Sequence, residues 1–400
     1  MSSERFVRHY KRQTDHAISQ AFTRLAADAR ASATFRELLD CVRHRAPGVL
    51  AAPVVDGHHP GVEALANLSR HRKDWVRRVA SWRGSSASWR GAVYSLALHL
   101  VCRYPVPRFL AASWYATGIY AEKKCEWFVA HARGARYRSL DLPIQMTRRM
   151  EHIFLGSPDH LSIEQALRRA ELLALGASDE LIDAVRASRI GADLSNAEFW
   201  RTLWMFLIAN AQAIDGPQVG PLIDFVQAVR HESTGVETAE GIVMRDPPQP
   251  TFSMRGRTPQ SILRLMRDWH RGLGQAHGGL VWAPARLRPL LREEPSQGAS
   301  APPAEWQLTE LVNSEQLREE GAALRHCVAS YAYRCRRGDS RIWSLRVRRG
   351  ERVRRVLTIE VDIRRRLVIQ ARGWRNKRAG GKPLRLLQEW SLRERLRIAI

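Results

Sequence analysis

The residues best able to do chemistry gather near the carboxy terminus. The stretch LRHCVASYAYRCRRGDSRIWSLR, residues 324–346, sets a histidine beside a cysteine, two tyrosines and a Gly-Asp turn just ahead of an alternating segment. On a helix, His326 and Cys327 project about 100° apart, so these neighbours cannot share one small nucleophilic site. A zinc site needs further ligands, and only Cys335 is near. Cys327 therefore reads as a small core hydrophobe, and His326 as a ring leaning over a sheet towards Glu360 or Tyr331. Downstream, Glu360 and Asp362 stand two apart on a strand and share a face, as paired carboxylates that hold a divalent cation often do. Gln370 follows on the next strand. His326, Glu360 and Gln370 are the candidate catalytic or recognition residues, with Tyr331, Ser344, Thr358 and Asn376 bordering the same polar site.

Positioning these groups takes a helix followed by a sheet. Asn313 with Gln316 forms a capping box for a helix from Ser314 to about Tyr333, and Leu317, Gly321, Leu324, Val328 and Tyr331 trace one of its faces. Alternation near 341–348, 354–363 and 366–372 predicts three antiparallel strands, and a final helix is expected from Leu384 to the end. One side of this sheet is apolar: Trp343, Leu345, Val347, Leu357, Ile359, Val361, Ile363, Leu367, Ile369 and Ala371 must pack on the helices. The opposite set, Ser344, Arg346, Arg348, Thr358, Glu360, Asp362, Gln370 and Arg372, reads as a face open to water. After the third strand, GWRNKRAGGKP can offer amides and cations to phosphate, but it lacks the spacing of a P-loop.

The first 290 residues or so read as helical. Ser162 with Gln165 and Ser195 with Glu198 look like capping boxes, Gly176 closes one run before Ser178 caps the next, and Thr258 precedes Pro259 at a helix start. Trp75, Trp82 and Trp89, seven apart among arginines, could stack bases but are more simply core anchors. LREEPSQGASAPPAEW breaks the composition and reads as a linker. The fold class is α+β: a mostly helical amino-terminal region, then a small module of helix, three-stranded antiparallel sheet and helix. The expected divisions are a helical extension at 1–65, a helical domain at 66–290, a linker at 291–305 and the basic module at 306–400.

Charge narrows the function classes. The 400 residues carry a formal charge of +24, which favours polyanionic partners, although arginine-rich coding could spread such a charge without purpose. The distribution is uneven. Residues 341–400 hold nineteen Lys/Arg against five Asp/Glu, a net of +14. That clustering points to a phosphate-facing surface made by Arg346, Arg348, Arg364, Arg365, Arg366, Arg372, Arg375, Lys377 and Arg378. Five scattered cysteines without a C-x-x-C pair fit reduced thiols, and the polar, basic start MSSERFVRHYKRQ is no signal peptide. A cytoplasmic protein without membrane contact is expected.

The series LREEGAALRHCVASYAYRCRRGDSRIWSLR, LTIEVD and VIQARGWRNK resembles the PcfJ-like family, named for a protein encoded on a conjugative plasmid. His326, Cys327, Val328, Tyr331, Gly338, Ser344, Thr358, Glu360, Gln370, Gly373 and Asn376 fit its pattern. DWVRRVASW, YPVPRFLAASW and MRGRTPQSILRLMRDWH look like the family's helical part, so the likeness spans about residues 70 to 390. It implies association with bacterial mobile elements and carries over no established reaction. The helix–strands–helix order with Gln-x-Arg is also similar to the restriction-endonuclease-like core, where an acid and Glu/Gln-x-Lys hold magnesium and activate water. Here Arg372 stands in place of the lysine, and its high pKa makes it a poor proton acceptor. The leading expectation is a nucleic-acid-binding accessory protein that needs no cofactor. The alternatives are a nuclease using Mg²⁺ at Glu360 and Asp362, or an adaptor that binds a protein through the helical region. The residues leave open whether any reaction is catalysed.

Overall fold

The computed structural model describes residues 3–54, 58–84, 88–116, 120–188, 190–238, 241–276, 279–295, 303–326, 328–374, 377 and 379–398. They divide into two units, Met1–Ala174 and Leu175–Ile400. The first contains Ser3–Leu25 (α1), Ala29–Arg45 (α2), Pro60–Arg70 (α3), Trp89–Val101 (α4), Ala121–Ala132 (α5), Arg148–Leu155 (α6) and Ile163–Leu175 (α7), which runs to the boundary. Capping follows the local sequence. Asp28 accepts from the Ala31 amide to start α2, and Ser162 and Gln165 make the reciprocal pair expected ahead of α7. Of the three spaced tryptophans, Trp82 is buried and donates to Ser95 Oγ at 3.1 Å. Trp75 and Trp89 are half-buried under Arg72 and Arg90.

The second unit opens with Asp179–Ala187 (α8), Ala197–Ala209 (α9), Gly216–His231 (α10), the hairpin Thr234–Thr238 (β1) and Gly241–Arg245 (β2), and Pro259–Ala276 (α11). Ser178 caps α8 through the Leu181 amide, and Thr258 accepts from Ser261 ahead of α11. The expected box at Ser195 does not form. Asn196, in the left-handed region, precedes α9 instead, and the Ser195 amide donates to Asp193.

Then come Leu290–Glu294 (β3), Ala304–Leu311 (β4), Ser314–Leu324 (α12), Ala332–Arg337 (α13), Arg341–Arg349 (β5), Arg352–Asp362 (β6), Leu367–Arg372 (β7), Gly381–Arg393 (α14) and Arg397–Ile398 (β8). The α+β class holds, but the sheet has six strands, ordered β3-β4-β5-β6-β7-β8, rather than three. All neighbours pair antiparallel except β7 and β8. The stretch expected as a linker therefore begins and ends in strands. β4 alternates buried and half-buried residues and pairs with β5 along its length, a signal hidden by the Pro/Ser/Ala-rich composition ahead of it. The terminal helix stops at Arg393, and the chain turns back to add β8 beside β7.

Trp343, Leu345, Leu357, Ile359, Val361 and Ala371 form the core expected of the apolar face, closed by Leu386, Leu387 and Trp390 of α14. The Trp343 and Trp390 ring centres lie 4.9 Å apart. One detail departs from strict alternation. The register shifts between Glu360 and Val361, which buries Val368 and leaves Ile369 36% exposed. The larger correction concerns the other face, which is not wet: Ser344, Thr358 and Glu360 are all buried. α12 follows β4 after two residues and folds back across these strands, so this face is polar and covered.

Candidate functional site

The expected helix to Tyr333 is broken where the site begins. α12 ends at Leu324, Arg325 adopts φ 54° and ψ 53°, and its amide returns to the Gly321 carbonyl. A Cβ at residue 321 would sit 2.8 Å from the His326 carbonyl oxygen, so this turn requires glycine. His326 thus lies on a turn rather than mid-helix, followed by a 3-10 segment at Val328–Tyr331. Its imidazole points into the covered face. Cys327 lies outside the described residues.

Two buried carboxylates organise that face. Glu320 of α12 is 0% exposed. Its Oε1 accepts from Thr358 Oγ1 at 2.9 Å, its Oε2 accepts from Ser344 Oγ at 2.8 Å, and Arg355 Nε lies 3.0 Å from Oε2. Each hydroxyl has one hydrogen and spends it on Glu320, so each must accept from elsewhere. Ser344 Oγ accepts from Arg346 Nε at 3.1 Å. Thr358 Oγ1 sits 2.9 Å from His326 Nε2, which therefore carries the hydrogen. The bond order runs His326 to Thr358 to Glu320. Burial lowers the His326 pKa to about 4, so the ring is neutral near pH 7. Burial raises the Glu320 pKa, opposed by the hydrogen bonds from Ser344 and Thr358 and by the charges of Arg346 and Arg355.

Glu360 on β6 centres the second group. Its Oε1 accepts from Ser340 Oγ at 2.7 Å and pairs with Arg334 at 3.1 Å. Its Oε2 accepts from Gln370 Nε2 at 2.7 Å, and the same amide donates to Tyr331 OH at 2.8 Å. Arg334 also lies 4.9 Å from the Tyr331 ring centre. Nearby, burial pushes the Cys335 thiol up to about 12, leaving it a protonated core group. His326, Tyr331, Thr358, Glu360, Gln370 and Arg372 line one cavity of about 40 Å³, closed by Ser188, Gly220 and Asp224. Since roughly 10–15 Å³ admits one water, it has room for a few waters and for no nucleotide.

Asp362 does not join this group. It accepts from the Arg365 amide at 2.9 Å and caps the β6–β7 turn. Among the described residues no three or more His, Cys, Asp or Glu side chains are grouped to hold a metal ion. Four participants were not singled out from sequence: Glu320, Arg334, Ser340 and Arg355. Glu320 had a signal, since it interrupts the Leu317–Leu324 stripe of α12 with an acid. Ser340 shares the parity of Ser344, one residue before the strand.

The basic residues separate by environment. Arg346 is half-buried on Ser344, and Arg372 lines the cavity. Arg365 pairs with Asp362, and Arg366 donates to the carbonyls of Glu394 and Arg395, tying the turn to the end of α14. Arg364 is exposed. Arg375, Asn376 and Arg378 lie outside the described residues. Exposed arginines cluster at the β5–β6 hairpin tip. Arg348, Arg349, Arg352 and Arg354 are all exposed and make no ion pair among the described residues. Arg349 stands directly opposite Arg352, and Arg348 faces Glu305 of β4 across the other edge. Beyond β7 the chain runs towards this tip, with Gly373 packed against the Val356 carbonyl. Trp374, 43% exposed, follows, and Arg325 and Lys377 lie 5.8 and 5.9 Å from its ring centre.

Comparison with known proteins bears on this segment. Residues 299–382 match the family described as PcfJ-like protein. No curated protein and no solved structure matches the chain. The PcfJ-like segment runs from before β4 into the start of α14, so it contains both carboxylate networks and the hairpin. The PcfJ-like likeness thus falls on the elements that build the polar cluster.

Proposed function

We propose that the PcfJ-like module binds nucleic acid through phosphates, with the β5–β6 hairpin tip as the contact, in an accessory role with bacterial mobile elements. The observation that carries this reading is the set of unpaired arginines at that tip. Like charges directly opposite on neighbouring strands cost a few tenths to about 1 kcal/mol, and no ion pair among the described residues offsets Arg349 against Arg352. A phosphate between them would. Trp374, flanked by Arg325 and Lys377 near the same end of the sheet, adds an aromatic face of the kind that stacks on an unpaired base. The buried networks then act as support: Glu320 holds Arg355 and, through Ser344, Arg346, at the root of the hairpin.

The test is the salt dependence of binding by the full chain to single-stranded and duplex oligonucleotides without metal. Replacing Arg349, Arg352 and Arg354 with Gln should lower the slope of log K against log salt by up to about 2.7. No binding at low ionic strength, or an unchanged slope, removes the proposal. A Mg²⁺-dependent cleavage that disappears in Glu360→Gln would replace it with hydrolysis.

A further inference from the structure

A second concave surface in the same unit lies away from the hairpin tip. α10, α11 and α12 enclose a cleft of about 540 Å³. This is within the range of pockets that hold a small ligand, and more than ten times the volume of the polar cavity beside Glu360. Its floor is apolar, with Pro221 and Met266 facing Gly321 and Ala322. Its charge has one sign: Arg267, Arg271, Arg318 and Arg325 line it, and among the described residues no carboxylate does. Arg271 and Arg318 make exposed pairs with Asp268 and Glu315 on their own helices, which hold such side chains only weakly. Arg267 and Arg325 have no carboxylate partner among the described residues. His270 completes the wall, and burial lowers its pKa, so it adds planar neutral surface and no charge.

We propose that this cleft binds a nucleoside phosphate, with guanidinium groups on the phosphate and the apolar floor under the base. A fork of N–H donors matches phosphate oxygens, whereas inorganic phosphate would leave the floor unused and a bare nucleoside would leave four cations unmet. The ligand is either a free mononucleotide or the phosphorylated end of a strand. Only Arg325 belongs to both surfaces, and the variants below leave it in place, so the two readings stand or fall separately.

Calorimetric titration of the full chain with AMP, adenosine and sodium phosphate tests the proposal. AMP should bind at least about tenfold more tightly than either fragment. Arg267→Gln with Arg271→Gln should weaken AMP by about tenfold or more and leave the salt slope for duplex DNA as in the parent. Ala322→Glu, at an exposed helical position, should abolish AMP binding without moving the thermal midpoint. Competition by a 5′-phosphorylated oligonucleotide, but not by its 5′-hydroxyl counterpart, would identify a strand end as the ligand, and its absence a free nucleotide. The inference is overturned if AMP binds no better than phosphate, or if both variants bind it as the parent does.

Discussion

His326 couples the covered face to pH. Its pKa near 4 in the folded chain compares with about 6.5 when unfolded, so between these values the unfolded chain takes up a proton that the folded one refuses. The associated stability is fully present above pH 6.5 and is lost as pH falls towards 4, by up to about 3 kcal/mol. Urea midpoints from pH 7.5 to 4.5 should therefore drop more steeply in the parent than in His326→Gln, whose amide can still donate to Thr358. Equal slopes would show the ring to be solvated. At Glu320 the consequence is electrostatic. Glu320→Gln removes the charge facing Arg355 and places amide hydrogens against hydroxyls that now point at it, so it should cost about 3 kcal/mol. A loss below about 1 kcal/mol in the same assay would mean that Glu320 is already neutral.

At the scale of elements, the β6–β7 bulge decides which side chains the sheet buries. Leu357 is 3% exposed within the α14-facing core, and Leu357→Ala should cost about 2–5 kcal/mol. Ile369, placed outward by the register shift, should cost less than about 1 kcal/mol on the same change. Chemical denaturation of the two variants side by side checks the bulge directly, since unbroken alternation would make both losses large. The hairpin tip differs again: its arginines make no ion pairs among the described residues, so their removal should alter binding and leave the midpoint within about 0.5 kcal/mol.

For the whole molecule, the division of the chain matters most. Both carboxylate networks, the hairpin and the cleft of α10, α11 and α12 use residues of Leu175–Ile400 alone. That unit, produced by itself, should give a cooperative thermal transition and retain the salt-dependent oligonucleotide binding of the full chain. Binding that vanishes in a unit still cooperatively folded would assign the phosphate contacts to Met1–Ala174. Among the described residues no helix is long and apolar enough to cross a membrane.

Sequence alone determined α12, β5, β6, β7 and α14 in their order, the capping at Asn313, the polar–apolar division of β5 and β6, and part of the cavity's lining in His326, Tyr331, Thr358, Glu360 and Gln370. These follow from periodicity and local hydrogen bonding, which a few neighbouring residues fix. Tertiary structure decided the rest. Alternation records which side chains are polar, not which are exposed, so the Ser344–Thr358–Glu360 face could read as wet until α12 closed over it with Glu320. β3, β4 and β8 are strands because of partners elsewhere in the sheet: two residues at 397–398 carry no period, and pairing with β7 alone makes them a strand. Likewise +14 in the last sixty residues was plain to count, but only the fold separates arginines spent on carboxylates and carbonyls from those at the hairpin tip. Charge is a property of composition, whereas pairing depends on what long-range contacts bring within 4 Å.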